Sequence, residues 1–463
     1  MRFSATGFYD AMAGKTIDVI GLGISNTALV FRLAKAGAAV TLRDRREEEM
    51  FPQELTERLR KADVALCLGN DYLNNLDGEI IFRTPGMNYL HPALVAACSN
   101  GQAVTSELEV FLELCPCPIV GITGSDGKTT TTSLIAAMLE RSCPNVHLGG
   151  NIGVPLLPIL DSVCADDICV VELSSFQLIS MRCSPDVAVV TNLRPNHLDV
   201  HRDMEEYTEA KRNIVAHQSA FSRTVLSADC PGAAAFAPSV RGKLVWFSRL
   251  APVERGAWMD EKGDLWYSEG GKSTFVINRR DVKLLGLHNI ENLLAAISAV
   301  WGIVPTENIA GVASSFIGVE HRIEPVRERN GVRWFNDSIA TSPSRTVAGL
   351  MSFDQKLIVI AGGYDKHLPF EPLVVPLLEH CKILILTGAT ADRIEDAVRS
   401  HRDFVSSGLL ILRSPTLKDA VHLADSVAAK GDIVTLSPAC ASFDSFENFE
   451  KRGEYFKSVV NSL

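Results

Sequence analysis

An α/β fold is what this sequence predicts, on three observations. Short, almost wholly apolar runs recur, such as Ile168-Cys-Val-Val-Glu172 and Lys356-Leu-Ile-Val-Ile360, the pattern of strands buried on both faces of a parallel sheet. Helical stretches alternate with these runs. Glycine-rich loops follow a strand and open a helix twice, at Gly21-Leu-Gly23 and at Gly121–Lys128. The runs fall into three blocks, which predicts three domains: residues 1–114 Rossmann-like, 115–319 P-loop ATPase-like, and 320–463 Rossmann-like again.

In the first block, Thr16-Ile-Asp-Val-Ile20 reads as a buried strand, Thr27–Ala36 as a helix stopped by Gly37, and Ala39-Val-Thr-Leu42 as a second strand ending near Asp44. In the second, Pro118–Ile122 reads as a strand, Thr123–Lys128 as a loop and Thr129–Arg141 as a helix. Ile168–Glu172 and Val187–Thr191 are further parallel strands. Between Val225 and Ile277 the runs shorten and turn signals multiply, Lys243–Phe247 among them, which predicts an antiparallel patch. Helix Ile290–Val300 closes the block. In the third, strands are expected at Lys356–Ile360, Lys382–Leu386, Leu409–Leu412 and Asp432–Leu436.

The 463 residues are 46% apolar and 22% charged, ordinary for a folded soluble protein. A net charge of -10, from 55 acidic and 45 basic residues, argues against broad nucleic-acid binding. Anionic small molecules remain compatible with it, held by local Arg, Lys and helix N-termini. The opening MRFSATGFYD has no basic-then-apolar signal pattern, and no run is long enough for a membrane span, so the cytoplasm is expected. Eleven cysteines are scattered, with only Cys115-Pro-Cys117 close in sequence and no CxxC. That spacing indicates neither a disulfide framework nor a zinc site, and most of the thiols read as small buried hydrophobes.

The strongest local signal is Gly121-Ile-Thr-Gly124-Ser-Asp-Gly127-Lys128-Thr129-Thr130. Glycines let a backbone curl until several N–H groups face phosphate oxygens, and the helix behind adds its positive end. Lys128 is placed to meet the β- and γ-phosphates, and Thr129 to hold Mg²⁺ through its hydroxyl. The spacing departs from GxxxxGK[ST], because Ile122 stands where the first glycine is usual. A glycine turn beside a chance Lys-Thr is the bland alternative.

Other segments accompany this loop. They are Gly149-Gly-Asn-Ile-Gly153, Val171-Glu-Leu-Ser-Ser-Phe-Gln177, Thr191-Asn-Leu-Arg-Pro-Asn-His-Leu-Asp199, Tyr207-Thr-Glu-Ala-Lys211, His288-Asn-Ile-Glu-Asn292, His321-Arg-Ile-Glu324, Trp334-Phe-Asn-Asp-Ser-Ile-Ala-Thr341, Gly362-Gly-Tyr-Asp-Lys366 and Ser437-Pro-Ala-Cys-Ala-Ser-Phe-Asp444. With them the chain resembles the Mur ligase family over essentially its whole length. The last two segments point to a member that adds D-glutamate. The resemblance implies a UDP-binding first domain and three substrates: ATP, UDP-N-acetylmuramoyl-L-alanine and D-glutamate. It also implies two Mg²⁺ ions and an acyl-phosphate intermediate. A monomer is expected.

The resemblance further implies site residues. ATP would be bound by Gly124, Ser125, Asp126, Gly127, Lys128, Thr129 and Thr130, with Asn289, Arg322 and Asp337. Metal ligands would be Thr129, Glu172, His197 and Lys211, the last as a carbamate; Lys128, Glu172, His197 and Lys211 would carry catalysis. Asn151 would contact the γ-phosphate or the substrate. Thr341, Lys366, Ser442 and Phe449 match the positions that hold D-glutamate. Gly23 and Ser25 would set the UDP diphosphate on a helix N-terminus. Asp44, Arg45 and Arg46 would meet uracil or phosphate, and Thr84-Pro85-Gly86 would form a second wall. Each has a plainer reading: Glu172 as a helix-end acceptor, Lys211 as an exposed helical lysine, His197 as a surface residue, Arg322 in a surface ion pair, Asp337 in a turn or cap, and Phe449 in the core. Ile339 departs from the lysine often found at its position in the family. Competing functions are a folylpolyglutamate synthase, which the Rossmann-like first block disfavours, an NAD-linked oxidoreductase built on Gly21–Asp44, and a non-catalytic nucleotide-binding module.

Overall fold

The structure is a computed structural model, and it describes residues 7–194, 201–366 and 368–463. The described residues form an α/β protein with three sheets. The chain divides into two compact units: Met1–Asp281 with Ile290–Ser314, and Val282–Asn289 with Ser315–Leu463.

The first unit holds two sheets. The N-terminal sheet contains β1 (Thr16–Ile20), β2 (Ala39–Asp44), β3 (Ala65–Leu68), β4 (Ile80–Phe82) and β5 (Ala103–Thr105). Their order is β3-β2-β1-β4-β5, all parallel. The second sheet contains β6 (Ile119–Thr123), β7 (Val146–Gly150), β8 (Ile168–Glu172), β9 (Val187–Val190), β10 (Arg223–Ser227), β11 (Lys243–Ser248), β12 (Gly256–Met259), β13 (Asp264–Glu269) and β14 (Lys272–Asn278). Its order is β14-β13-β12-β11-β10-β9-β6-β8-β7. All five residues of β6 and of β8 are buried, as strands covered on both faces require.

The antiparallel patch is narrower than the sequence suggested. Strand β11 pairs in parallel with both β10 and β12, and antiparallel pairing is confined to β12, β13 and β14. The chain between β10 and β11 is long enough to form a short helix, Pro231–Ala234, and a 3-10 turn, so it can cross over and return in parallel. Only after β12 do the links tighten. Gly270 and Gly271, both at positive φ, close the β13–β14 hairpin in two residues.

One continuous apolar core joins these two sheets, running from Phe8 and Ile17 through Phe111, Leu156 and Leu160 to Tyr207 and Phe236. Polar ties cross the same boundary. The buried Arg83 guanidinium donates to Phe176 O and to Ser180 Oγ, and Tyr9 Oη donates to Leu157 O.

The second unit holds a six-stranded sheet of β15 (Glu324–Arg329), β16 (Val332–Asn336), β17 (Leu357–Ala361), β18 (Cys381–Leu386), β19 (Leu410–Arg413) and β20 (Ile433–Leu436). Its order is β15-β16-β20-β17-β18-β19, parallel except for the β15–β16 hairpin. Alternate residues of β17 feed two cores: Leu357, Val359 and Ala361 face one layer of helices, Ile358 and Ile360 the other. Strands β15 and β16 are absent from the sequence reading. Their signal was Asn330-Gly331, both at positive φ, the residue pair that favours a two-residue hairpin turn. Among the described residues, no helix is long and apolar enough to cross a membrane.

Candidate active site

In the first unit the site is built where β6, β8 and β9 end. Thr123 closes β6, and the chain then turns through Gly124 at φ 151° and Gly127 at φ 78° into helix Lys128–Leu139. A Cβ at Gly124 would collide with Thr191 Oγ1, and one at Gly127 with Asn292 Oδ1, so both positions require glycine on two counts. The loop is stitched from outside. Ser125 N donates to Asn192 O, Asp126 N to Asn192 Oδ1, and Thr191 Oγ1 to Asp126 O, at 2.7–3.0 Å. Ser125 Oγ donates to Arg194 O at 2.8 Å and lies 3.0 Å from Tyr207 Oη. Gly127 offers no side-chain cap, so the helix end stays open to an anion. Lys128 Nζ folds back on the loop and donates to Gly124 O and Ser125 O, 3.0 Å each. Thr129 is half-buried at the helix start, whereas Thr130 is buried.

Glu172 ends β8 with 1% of its surface exposed. Its Oε1 accepts from Asn151 Nδ2 at 2.8 Å, and Asn151 N donates to Glu172 O. Its Oε2 is buried with no hydrogen-bond partner among the described residues. Such an orphan is costly unless something not yet bound completes it. Lys211 is no exposed helical lysine. It is 1% exposed on helix Met204–Ala216, which Asp203 caps, and its Nζ donates to Thr123 Oγ1 and Gly124 O at 3.1 and 3.0 Å. Burial and then the charge of Lys128 push its ammonium well below the usual range, so the neutral amine is favoured; Glu172 and Asp126 oppose this. His197 lies outside the described residues.

On the N-terminal sheet, Gly21 turns at φ 85° and a Cβ there would press on Thr84 at 3.0 Å, so the loop after β1 and the Thr84 segment are neighbours. Asn26 Nδ2 donates to Ile20 O and Gly21 O. Asp44 is buried and accepts from Leu22 N at 2.7 Å and from Arg46 Nη2 at 2.7 Å. Burial alone works against its charge, but hydrogen bonds from Arg46 and Leu22 N–H outweigh that and hold the carboxyl below its usual range. Its oxygens thus fasten the loop and aim Arg46. Helix Ile24–Lys35 starts at Gly23 with no side-chain cap. Ser25 and Pro85 are half-buried there, and Arg45, Arg46 and Gly86 are exposed.

The second unit carries the other predicted residues. Asp337 follows β16, buried at 4% exposure; Oδ2 accepts from Ser437 Oγ at 2.8 Å and Oδ1 from Ile323 N at 3.3 Å. Burial pushes it up to about 7 against the opposing Ser437 hydrogen bond and the charge of Arg322. Arg322 is half-buried, and Asn289 donates Nδ2 to Leu285 O. Thr341 and Lys366 line one small cavity with Tyr364, Asp365, Phe370 and Cys440. Desolvation, then Arg345 and Arg452, push the Lys366 ammonium down. Ser442 is buried, and Phe449, which begins helix Phe449–Ser462, is half-buried with its ring edge-on to His321.

The sequence reading missed several supports. Thr191, Asn192 and Tyr207 hold the glycine loop, a role that their motifs alone do not reveal. Buried Arg452 grips Ser338 Oγ and O, Cys440 O and Ala441 O, shaping the segment that contains Ser442. Arg345 acts electrostatically on both Asp337 and Lys366 and donates to Ile339 O. Its one signal was Ile339, which left a cation missing from an expected place.

Comparison with known proteins fixes the class. Residues 122–300 match the Mur ligase middle domain, and residues 321–440 match the Mur ligase glutamate ligase domain. The chain belongs to the Mur ligase family, ATP-dependent ligases that form amide bonds. Its relatives narrow the comparison. A protein of Acetivibrio thermocellus is 47% identical, one of Clostridium acetobutylicum 45% and one of Clostridium novyi 44%, each covering 100% of both chains. All three are named UDP-N-acetylmuramoylalanine--D-glutamate ligase. Among solved structures, a UDP-N-acetylmuramate-alanine ligase from Thermotoga maritima superposes with a TM-score of 0.60 at 19% identity, over 97% of this chain and 99% of that one. A pseudomurein peptide ligase from Methanothermus fervidus gives 0.58 at 19% identity, over 97% and 100%. These two show the shared three-domain fold.

Proposed function

We propose that this protein joins D-glutamate to the L-alanine carboxyl of UDP-N-acetylmuramoyl-L-alanine, a step of peptidoglycan precursor synthesis. ATP passes its γ-phosphoryl group to that carboxylate, giving an acyl phosphate and ADP. The D-glutamate amine attacks the acyl carbon, loses a proton, and phosphate leaves. A carboxylate is a poor electrophile, and phosphorylation supplies the leaving group it lacks. The single observation that carries the substrate choice is identity of 44–47% over the whole chain to proteins named for this reaction.

The residues support this reading. The loop Gly124–Lys128 and the open helix end suit a polyphosphate, with Lys128 neutralising charge as it transfers. The unpartnered Glu172 Oε2, an anionic oxygen shut away from water, fits a hard cation, and Thr129 suits the same ion. Mg²⁺ there would neutralise phosphoryl oxygens. His197 and Lys211 are proposed for a second ion, Lys211 after taking up CO₂, for which its neutral amine is the prerequisite. Asn151 orients Glu172. Gly23, Ser25, Arg45, Arg46 and the Thr84–Gly86 segment would hold the UDP end, with Asp44 acting through Arg46. Arg322, Asn289 and Asp337 would serve ATP, and Thr341, Lys366, Ser442 and Phe449 D-glutamate. We further assign three domains, 1–114, 115–319 and 320–463, and a cytoplasmic monomer.

The test is phosphate release with ATP and Mg²⁺, adding UDP-N-acetylmuramoyl-L-alanine and then D-Glu, L-Glu, meso-diaminopimelate or L-Lys in turn. Release that requires both the nucleotide substrate and D-Glu is expected, and Lys128→Ala should reduce it by about a hundredfold or more. Release with another amino acid would move the substrate. No release from a folded protein that binds ATP would sink the ligase reading.

A further inference from the structure

Three of the scattered cysteines meet. Cys115 and Cys117 lie between helix Glu107–Leu114 and β6, and Cys169 is the second residue of β8. Their sulfurs form a near-equilateral triangle: 3.5 Å for Cys115–Cys117, 3.7 Å for Cys115–Cys169 and 3.5 Å for Cys117–Cys169. Strand pairing brings them together. Cys169 stands opposite Ile119 on β6 and opposite His147 on β7. Paired residues of parallel strands share a face, and Cys117, two residues before Ile119, shares it as well. All three thiols are free, with Cys117 and Cys169 buried and Cys115 partly so.

We propose that Cys115, Cys117, Cys169 and His147 form a structural site for one thiophilic divalent cation, zinc, in the first unit of this fold. Four tetrahedral ligands at a Zn–S distance of about 2.3 Å place sulfurs about 3.8 Å apart, so the triangle seen here lies a few tenths of an ångström from that geometry. His147, opposite Cys169 on the same face of the sheet, lies outside the cluster the three sulfurs form and would swing in to complete a Cys₃His set. Its Nε2 bonds Asp167 Oδ2 at 2.8 Å, the carboxylate support typical of a metal-binding imidazole, and Nδ1 is the nitrogen that would face the ion after that swing. Asp167 is fixed in turn by Cys164 N and Asn145 Nδ2. Three sulfurs packed this closely form a cluster in which a cation can replace the thiol protons.

The site lies at the N-terminal ends of β6 and β8, away from the glycine loop and Glu172 at their C-terminal ends. Its role is therefore structural: it pins the segment after helix Glu107–Leu114 to β8.

The full-length protein, reduced and stripped of metal, is titrated with Co²⁺ and then Zn²⁺. One equivalent of Co²⁺ is expected to give sulfur-to-cobalt charge-transfer absorption with tetrahedral visible bands, which Zn²⁺ displaces, and Zn²⁺ should raise the thermal midpoint. Cys169→Ser should lose these bands, whereas Cys98→Ser, an exposed thiol elsewhere, should keep them. His147→Ala should keep the charge-transfer absorption and bind about tenfold or more weakly. If Cys169→Ser does not fold, Cys115→Ser at the partly exposed thiol reads the same loss. No stoichiometric Co²⁺ binding by the folded wild type, or bands undiminished in both serine variants, overturns the proposal. So does a disulfide among these cysteines in a protein that takes no metal when reduced.

Discussion

Asp337 is a buried carboxyl that accepts from the Ser437 hydroxyl and the Ile323 N–H and feels the charges of Arg322 and Arg345. An unfolded aspartate titrates near 3.8, and Asp337 in the fold near 7. Well below pH 4 both states hold the proton and folding bears no penalty. As pH rises from about 4 to 7 the unfolded chain ionises first, so stability falls, by on the order of 4 kcal/mol once both are charged. Asp337→Asn removes that penalty. It should be more stable than the parent by a few kcal/mol at pH 8, with the gain fading toward pH 4. Denaturant melts at both pH values check this, and an equal difference at each would contradict it. Short segments of sequence marked Glu172 and Lys211 as candidates, and their charge type was legible there. Their burial was not, and nor were Arg452 and Arg345. An arginine on a distant helix gives no sign of which carbonyls it will meet until the tertiary fold exists.

The strand-loop-helix unit at Gly124–Lys128 is an element whose shape follows from local chemistry. Gly127→Ala adds a Cβ at positive φ, and Asn292 Oδ1 must move. The strain is about 1–3 kcal/mol. The expected outcome is a lower thermal midpoint and loss of phosphate release with an unchanged far-ultraviolet circular dichroism spectrum; wild-type turnover would show that the loop tolerates the strain. Elements of this kind were readable because buried parallel strands are continuous apolar runs. The β15–β16 pair was missed because its outer strand, Glu324–Arg329, alternates charge with little apolar content. The antiparallel patch was overextended because short runs near turn residues resemble hairpins whether or not a crossover intervenes.

At the scale of the molecule, two compact units predict more than one unfolding step. Tryptophans divide between them: Trp246, Trp258, Trp266 and Trp301 lie in the first unit and Trp334 alone in the second. Trp334 is 1% exposed, so its emission should change sharply when the second unit unfolds. In urea, Trp334→Phe is expected to remove the fluorescence change from one transition and leave the other; loss of signal from both would mean a single cooperative step. Three blocks were legible from alternating strands and helices. The assignment of Val282–Asn289 to the second unit was not, since nothing in its composition marks a break. A wider consequence lies in β8, where Cys169 and Glu172 stand three residues apart on opposite faces of one strand. A single inserted or deleted codon between them would invert one face relative to the other, scattering the sulfurs or turning the carboxylate from the nucleotide loop. Over evolutionary time this stretch can exchange its valines for other apolar residues, but it cannot change its length.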